Sequence, residues 1–233
     1  MPALSMPSTS DGRPSLVVFD CDGTIVDSQH GIVHCMAEAF AAHRLPSPEP
    51  GAVRRIIGLS LDEAVARLLP DSPDPRPLVV AAYREAALAL RSHPDHAEPL
   101  FPGVREAIES LDASGYLLGI ATGKNRRGLI VTLERHHLVN RFVTLQTADL
   151  CAGKPNPDMM LRAMAETGAE RSRTLLVGDT VFDVQMARAA GTDAVGVGWG
   201  YHPAEELKAA GAARVVAHGD EIVPAVGALF EGV

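Results

Sequence analysis

One stretch of the chain decides the fold: Leu16-Val-Val-Phe-Asp20-Cys-Asp22-Gly23-Thr24-Ile-Val-Asp27-Ser28. Its first residues are apolar and include two valines, a composition typical of a strand buried on both faces of a parallel sheet. Asp20 and Asp22 follow, and side chains two residues apart in an extended chain leave on the same face. Gly23 then permits a turn with φ of either sign. The stretch predicts two carboxylates at the C-terminal end of a strand, where open α/β sheets bind their ligands.

The composition bounds the class of protein. A chain of 233 residues with 46% hydrophobic content can bury a sizeable core without disulfides or metals to staple it. A net charge of -8 and a pI near 5.6 argue against broad nucleic-acid or anionic-membrane binding. No apolar run in the sequence is long enough to span a bilayer. We therefore expect no nucleic-acid partner and no membrane partner.

The cysteines and the first residues indicate a cytoplasmic protein. Cys21, Cys35 and Cys151 are odd in number and form no C-x-x-C pair, so neither a disulfide framework nor a zinc site is predicted. Residues 1–15 are polar and rich in Ser and Pro, with no apolar segment of the kind a signal peptide needs. We interpret them as a disordered leader.

The segment after the opening stretch is predicted to be helical throughout. Ile32, Met36 and Phe40 recur at helical spacing, and two further helical patterns cover residues 61–69 and 76–91. Proline-rich joints separate these patterns, and nothing between residues 27 and 100 has the pattern of a strand. The predicted division is a leader over 1–15, a core over 16–26 and 101–233, and a helical cap over 27–100.

Beyond Leu100 the chain alternates between helix and strand. Such alternation predicts an α/β fold, a Rossmann-like, doubly wound parallel sheet with helices on both faces. The predicted later strands cover residues 116–121, 142–146, 174–177, 193–197 and 214–217.

Four polar clusters follow predicted strands, and parallel strands would bring them to one edge of the sheet. A lone pair such as Asp20 and Asp22 is also typical of a solvated turn, so the other three clusters matter. Lysine occurs only three times in the chain, which makes Lys154 conspicuous. The clusters are Asp20 with Asp22, Thr122 with Gly123, Lys154, and Asp179 with Asp183.

This set of clusters resembles the haloacid dehalogenase (HAD) superfamily. Its phosphatases carry D-x-D-G-T, a later strand ending in Thr or Ser, an isolated Lys, and G-D-x-x-x-D, and all four occur here in that order. The resemblance implies hydrolysis of a phosphate monoester through an aspartyl-phosphate. The residues it implies to be catalytic are Asp20 as nucleophile, Asp22 as acid and base, and Thr122 and Lys154 as phosphoryl-binding groups.

The resemblance also implies a magnesium ion, since four acids around a dianionic substrate require a cation. Its implied protein ligands are the carboxylate of Asp20, the main-chain carbonyl of Asp22, and the carboxylates of Asp179 and Asp183. Asp183 has an alternative role, because Asp is also favoured near the N-terminus of a helix.

Residue identities narrow the reaction within the superfamily. Asp22 is the second aspartate that the dehalogenases lack, and residues 27–100 contain no lysine for the Schiff base of a phosphonatase. Sugar-phosphate mutases carry a histidine where this chain has Ile32. Phosphate monoester hydrolysis remains.

Within the phosphatases, residues 54–64 resemble the cap segment of the helical-cap subgroup that includes phosphoglycolate phosphatase. This likeness implies that Arg55 and Gly58 contact the substrate, although an Arg pair on a helix is also typical of a solvated face. Nucleoside monophosphates and sugar phosphates remain alternative substrates. The remaining implied substrate contacts are Gly23, Thr122, Gly123 and Lys124, with the role of the Lys124 side chain left open.

Two other classes of protein use similar residues. A response-regulator receiver has an acid pair, an acceptor Asp, a Thr and a Lys, but it has no helical insertion and keeps its acceptor apart from the acid pair. A relative that kept the fold and lost catalysis is the other alternative, and the intact set of acids with Lys154 argues against it. A monomer and a homodimer are both compatible with the sequence.

Overall fold

The computed structural model describes residues 13–93 and 97–231, so most of the predicted leader lies outside the described residues. Its centre is a sheet of six parallel strands in the order β3-β2-β1-β4-β5-β6. The strands are β1 Leu16–Phe19, β2 Leu117–Thr122, β3 Thr144–Thr147, β4 Thr174–Gly178, β5 Asp193–Val197 and β6 Arg214–Val216.

The sheet is covered on both faces, as predicted for a doubly wound fold. All four residues of β1 are buried, and they alternate between two apolar clusters. Val17 and Phe19 pack with α5, α6 and α10, whereas Leu16 and Val18 pack with α7, α8 and α9. The core helices are α5 Val104–Ala113, α6 Arg126–Arg135, α7 Asp158–Thr167, α8 Val181–Ala190, α9 Ala204–Ala210 and α10 Ile222–Phe230.

Two of these helices, α9 and α10, were not predicted from the sequence. The first is 7 residues long, about two turns, which is too short to establish a helical period. The second is apolar on nearly every side, so it has no polar face to contrast with an apolar one.

Helices alone follow β1 before the chain returns to the sheet. Four of them occupy the described part of residues 27–100, and their apolar side chains form a third cluster, which Phe182 of α8 also joins. An antiparallel bridge between Val26 and Leu100 joins the two segments by which the chain leaves the core and returns to it. None of the described helices has both the length and the apolar composition needed to cross a bilayer. The four helices are α1 Gln29–Ala42, α2 Pro50–Arg54, α3 Leu61–Leu68 and α4 Arg76–Ser92.

Candidate active site

The strand at the start of the opening stretch ends before the first aspartate. β1 stops at Phe19, and although the Asp20 N–H still donates to the Val177 carbonyl, the chain then turns. The N–H groups of Ile25 and Val26 both donate to the Cys21 carbonyl, which closes the turn. The extended conformation that would place Asp20 and Asp22 on the same face therefore does not persist through Asp22, although both carboxylates lie beyond the C-terminal end of β1.

Gly23 makes this turn possible. Its φ of +89° lies in the left-handed region, and a Cβ at this position would overlap the carboxylate of Asp179. The glycine therefore brings the turn after β1 against the end of β4. The absence of a side chain at Gly23 leaves space for the Asp179 carboxylate.

Asp20 is buried, with a relative exposure of 1%. Its Oδ1 lies 2.8 Å from Lys154 Nζ, and neither carboxylate oxygen has a well-directed hydrogen bond within the described residues. Burial raises the pKa of Asp20 to about 7, and the nearby Lys154 only partly opposes that rise. The carboxylate is therefore poorly satisfied by the protein, as expected for a group that awaits a ligand.

Lys154 is buried between two carboxylates. Its Nζ lies 2.6 Å from Asp183 Oδ1 as well as 2.8 Å from Asp20 Oδ1. Burial disfavours the ammonium, but Asp183 and Asp20 outweigh that effect and hold the pKa of Lys154 above its usual value. The side chain is thus a fixed positive charge beside the predicted nucleophile.

Asp183 combines the two roles that the sequence left open. The N–H and hydroxyl of Thr180 donate to Asp183 Oδ2 at 3.0 and 2.6 Å. The Asp183 N–H donates in turn to the Thr180 hydroxyl oxygen. Together these bonds form a capping box at the start of α8. Asp183 Oδ1 contacts Lys154 in the same arrangement. Capping therefore orients Asp183 toward the cluster.

Asp179 is oriented by two donors from distant parts of the chain. The Thr24 hydroxyl donates to its Oδ1 and the Tyr201 N–H donates to its Oδ2, each at 2.9 Å. Burial and the charges of Asp20 and Asp183 raise the pKa of Asp179 well above its usual value. This repulsion among carboxylates is a feature that a bound cation would relieve.

The three carboxylates of Asp20, Asp179 and Asp183 are suited to a hard divalent cation. Each offers an oxygen, and these oxygens lie within 4.8 Å of one another. Three buried acids face one lysine, and Asp20 Oδ2 has no hydrogen-bond donor among the described residues. Carboxylate oxygens are the donors that Mg²⁺ prefers, so these residues fit the predicted ion. The side chain of Asp22 lies outside this cluster.

Asp22 is held by a separate set of contacts. Lys124 Nζ lies 2.9 Å from its Oδ1, and the Ser28 hydroxyl donates to the same atom at 2.6 Å. Lys124 also lies 3.4 Å from the buried Glu98. Burial disfavours the charge of Lys124, but Asp22 and Glu98 hold its pKa above the usual value. The Lys124 side chain, whose role was open, is therefore the cationic partner of Asp22.

Thr122 and Gly123 lie at the end of β2, as predicted. The Thr122 hydroxyl oxygen accepts from the Lys124 N–H at 3.2 Å, which leaves its hydroxyl hydrogen to donate. A Cβ on Gly123 would overlap the Leu59 carbonyl, and Gly58, with a φ of +99°, belongs to the same loop of the insertion. The loop before α3 therefore lies directly against the strand ends.

A cavity of about 160 Å³ separates the core from the helical insertion. Residues of both regions line it, and the wall from the insertion is largely apolar. The core contributes Asp20, Asp22, Thr122, Gly123 and Lys124, and the insertion contributes among others Ile32, Met36, Gly58, Tyr83 and Arg91.

Arg55 lies elsewhere. Its guanidinium forms a bidentate pair with Glu206 of α9, with N–O distances of 3.0 and 2.8 Å, and half of its side chain is exposed. It does not line the cavity. The solvated-face interpretation therefore suits Arg55, and the structure gives no support to the predicted substrate contact.

Several residues that orient the site were not predicted from the sequence. Thr24 and Ser28 lie within the opening stretch, but nothing in their spacing predicted which acid each would contact. Tyr201 belongs to a Gly-rich segment after β5, and its N–H reaches Asp179. Glu98 lies in the segment by which the chain returns from the insertion to the core, and the Thr132 hydroxyl donates to its carboxylate at 2.8 Å.

Comparison with known proteins assigns the class. The haloacid dehalogenase-like hydrolase family matches the chain over residues 17–197. The chain belongs to that family.

Individual relatives cover nearly the whole chain. It is 38% identical to "Probable phosphatase IndB" of Dickeya dadantii, over 93% of this chain and 95% of that protein. It is 30% identical to a phosphoglycolate phosphatase of Mesorhizobium japonicum, over 81% and 84% of the two chains. A crystal structure of a hydrolase from Pseudomonas syringae, 27% identical, superposes with a TM-score of 0.81 over 92% of this chain and 98% of that one.

Proposed function

We propose that this protein is a Mg²⁺-dependent phosphate monoester hydrolase that acts through an aspartyl-phosphate on Asp20. The observation that carries the proposal is the Asp20 carboxylate, which is buried beside Lys154, has no hydrogen-bond donor on its Oδ2 among the described residues, and lines the cavity. Relatives named phosphatases support the same class of reaction.

In the first step, an oxygen of Asp20 attacks phosphorus and the bond from phosphorus to the leaving oxygen breaks. Asp22 gives its proton to that oxygen, which departs as an alcohol. Lys154 and the Thr122 hydroxyl offset the charge on the transferring phosphoryl oxygens.

In the second step, a water oxygen attacks the phosphorus of the aspartyl-phosphate, and Asp22 takes the proton of that water. The bond from Asp20 to phosphorus breaks, which releases inorganic phosphate and restores the carboxylate. The contacts of Asp22 with Lys124 and Ser28 suit this alternation, because they hold one of its oxygens and leave the other for proton transfer.

Asp20, Asp179 and Asp183, with the main-chain carbonyl of Asp22, are the residues we propose to hold Mg²⁺. The ion would supply positive charge that neutralises the phosphate and the clustered acids. The capping of Asp183 and the two donors to Asp179 keep these carboxylates in place before any ion binds.

Residues 27–100 are proposed to act as a cap that excludes water during the transfer, with hinges near Asp27-Ser28 and Pro99–Gly103. The contact of Gly58 and Leu59 with the end of β2 supports this role. The expected partner is a small phosphorylated metabolite in the cytoplasm, with 2-phosphoglycolate as the first candidate and nucleoside monophosphates or sugar phosphates as alternatives. The protein is expected to be a monomer or a homodimer.

A screen of these esters with the purified protein tests the proposal. We expect release of inorganic phosphate that depends on Mg²⁺ and is lost in Asp20→Asn. Phosphate that is trapped on wild-type protein by an acid quench, released by hydroxylamine and absent from Asp20→Asn would identify the covalent intermediate. A stable phosphoprotein without turnover would indicate the receiver-like alternative, and the absence of both activities would indicate an inactive relative.

A further inference from the structure

The inner face of helix α4 presents two hydrogen-bond donors to the cavity. Tyr83, Ala87 and Arg91 are spaced four residues apart, so they lie on one side of the helix. All three line the cavity. Ala87, the small residue between the other two, leaves space between the phenol and the guanidinium.

Neither donor has a hydrogen-bond partner in the part of the chain that the structure describes. Arg91 is only partly exposed, yet it has no hydrogen bond or ion pair with any residue in 13–93 or 97–231. The Tyr83 hydroxyl likewise has no partner across those ranges. Several other arginines of the insertion are engaged: Arg54 with Gln29, Arg55 with Glu206, and Arg67 with Glu63.

The two donors line the same cavity as Asp20 and Asp22. Burial raises the pKa of the Tyr83 phenol well above its usual value, Cys35 and Asp22 raise it further, and Lys124 and Arg91 oppose them. Tyr83 is therefore protonated at neutral pH and lies within electrostatic reach of both Asp22 and Arg91. Asp22 is the proposed donor to the leaving oxygen, so α4 faces the leaving group.

Most of this wall is apolar, and its acids already have partners: Asp62 contacts Arg84, and Glu98 contacts Lys124 and Thr132. Ile32, Met36, Ile57 and Leu59 line the same cavity and offer no charged side chain. A cation against an apolar wall is costly unless an anion meets it, and Arg presents a planar fork that matches a carboxylate.

We propose that Arg91 and Tyr83 form a subsite for a carboxylate carried by the leaving alcohol, and so select small phosphate esters of hydroxy acids. This inference rests on the proposed phosphatase function. It replaces the expected role of Arg55 with residues of the same insertion that face the cavity. The cavity volume of about 160 Å³ suits a small phosphate ester.

Two substrates of the same carbon number isolate the carboxylate: 2-phosphoglycolate and ethyl phosphate. We expect wild-type protein with Mg²⁺ to favour 2-phosphoglycolate in kcat/KM. Arg91→Gln should lower kcat/KM for 2-phosphoglycolate by about 10- to 100-fold and Tyr83→Phe by about 3- to 10-fold, because a hydrogen bond to a charged group is lost. Ethyl phosphate should change by less than about twofold in both variants, because its leaving group has no carboxylate to lose contact with Arg91 or Tyr83.

Arg127→Gln is the matched control. It removes the same charge from an exposed position near the start of α6 that does not line the cavity. We expect its ratio of the two kcat/KM values to equal that of the wild type. Unchanged hydrolysis of ethyl phosphate by Arg91→Gln would also establish that this variant is folded.

The outcomes separate the subsite from the chemistry. An equal loss for both esters in Arg91→Gln, or a wild-type preference for ethyl phosphate, would overturn the subsite while leaving a phosphatase. Calorimetric binding of 2-phosphoglycolate to Asp20→Asn, weakened at least about tenfold by adding Arg91→Gln, would support the subsite without any turnover. If wild-type protein hydrolysed neither ester but retained this Arg91-dependent binding, the proposed function would fail and the subsite would stand.

Discussion

On the core side of the cavity, Lys154 and Lys124 each contact two carboxylates, whereas on the α4 side Arg91 contacts none among the described residues. The core groups are also fixed by capping and backbone donors, as with Asp183 and Asp179. Groups that are paired before a ligand arrives cost no reorganisation during reaction. From this difference in pairing we infer that the sheet edge performs the chemistry and that the helical insertion selects the substrate.

The largest effect is expected from Asp20→Asn. The substitution keeps the shape of the side chain but removes the nucleophile, so kcat should fall by at least about 10⁴-fold. Hydrolysis of p-nitrophenyl phosphate with Mg²⁺ measures this loss. Thermal unfolding should be unchanged or shifted upward, because a buried and repelled charge has been removed. Residual activity above one percent would contradict the covalent mechanism.

Lys154→Met should be the next most damaging change, and it should affect stability as well. The methionine fills similar space but leaves Asp20 and Asp183 without their cation, which we expect to cost about 3 kcal/mol of unfolding free energy in metal-free buffer. The rate should fall by about 10³-fold. Urea denaturation with and without Mg²⁺ provides the measurement, and Mg²⁺ should recover part of the lost stability.

Lys208→Met is the control for that experiment, because Lys208 is 56% exposed and, within residues 13–93 and 97–231, pairs only with Glu205. Its unfolding free energy should remain within about 0.5 kcal/mol of the wild type. If Lys154→Met behaved like Lys208→Met, the tight pairing on the core side would not be what stabilises the site.

Gly58→Ala tests the contact between the two sides. The residue has a φ of +99°, and its Cβ would lie 3.1 Å from the Thr180 hydroxyl, which caps α8 through Asp183. We expect a loss of about 1–2 kcal/mol in stability from the backbone strain. Displacement of the loop should also lower kcat/KM by about tenfold.

Gly51→Ala is the matched control for Gly58→Ala, since Gly51 is helical and a Cβ there meets nothing within 4 Å. It should leave activity unchanged and raise stability by a few tenths of a kcal/mol up to about 1 kcal/mol. Equal effects of the two substitutions would mean that the loop is not closely fitted to the sheet edge.

The core side could be predicted from the sequence because each motif is tied to a strand. Asp20 and Asp179 follow β1 and β4, and Thr122 ends β2. These three strands are neighbours in the sheet, so the convergence of the side chains required only a parallel topology. Lys154 lies in a loop, but lysine is rare in this chain, and that rarity drew attention to it. Local geometry was less predictable, because the turn after Asp20 depends on hydrogen bonds to the Cys21 carbonyl.

The α4 side could not be predicted in the same way. Helical spacing places Tyr83 and Arg91 on one face, but which face turns inward is decided by the packing of α4 against α1. Arg54 and Arg55 belong to the segment that resembles a known cap, and that resemblance is why Arg55 was predicted to contact the substrate. Glu98 gave no signal, since its role depends on the position of Lys124 after the fold has formed.

A smaller, pH-dependent effect is expected at His202, which connects the two sides. Its Nδ1 accepts from the Val181 N–H at 3.1 Å, and its Nε2 lies 3.2 Å from the Arg55 carbonyl. Burial lowers the pKa of His202, so the unfolded chain binds a proton more readily than the folded one. Its contribution to stability is therefore present above the unfolded value of about 6.5 and is lost as the pH falls from there toward the folded pKa.

His202→Asn keeps an acceptor near the Val181 N–H and removes the titration. In metal-free buffer, the wild type should lose more unfolding free energy than the variant between pH 7 and pH 5. Chemical denaturation at several pH values measures this difference. Parallel curves would mean that His202 is not held in its neutral form.

The smallest effect is expected from Arg55→Ala, which decides between the two arginine positions of the insertion. Its ion pair with Glu206 is exposed, and such pairs contribute little to stability because water screens them. Its guanidinium does not reach the cavity, so kcat/KM for 2-phosphoglycolate should stay within about twofold of the wild type. Measured beside Arg91→Gln, a strong loss in Arg55→Ala with none in Arg91→Gln would reverse the assignment, because the substrate would then have to lie toward α9 rather than α4.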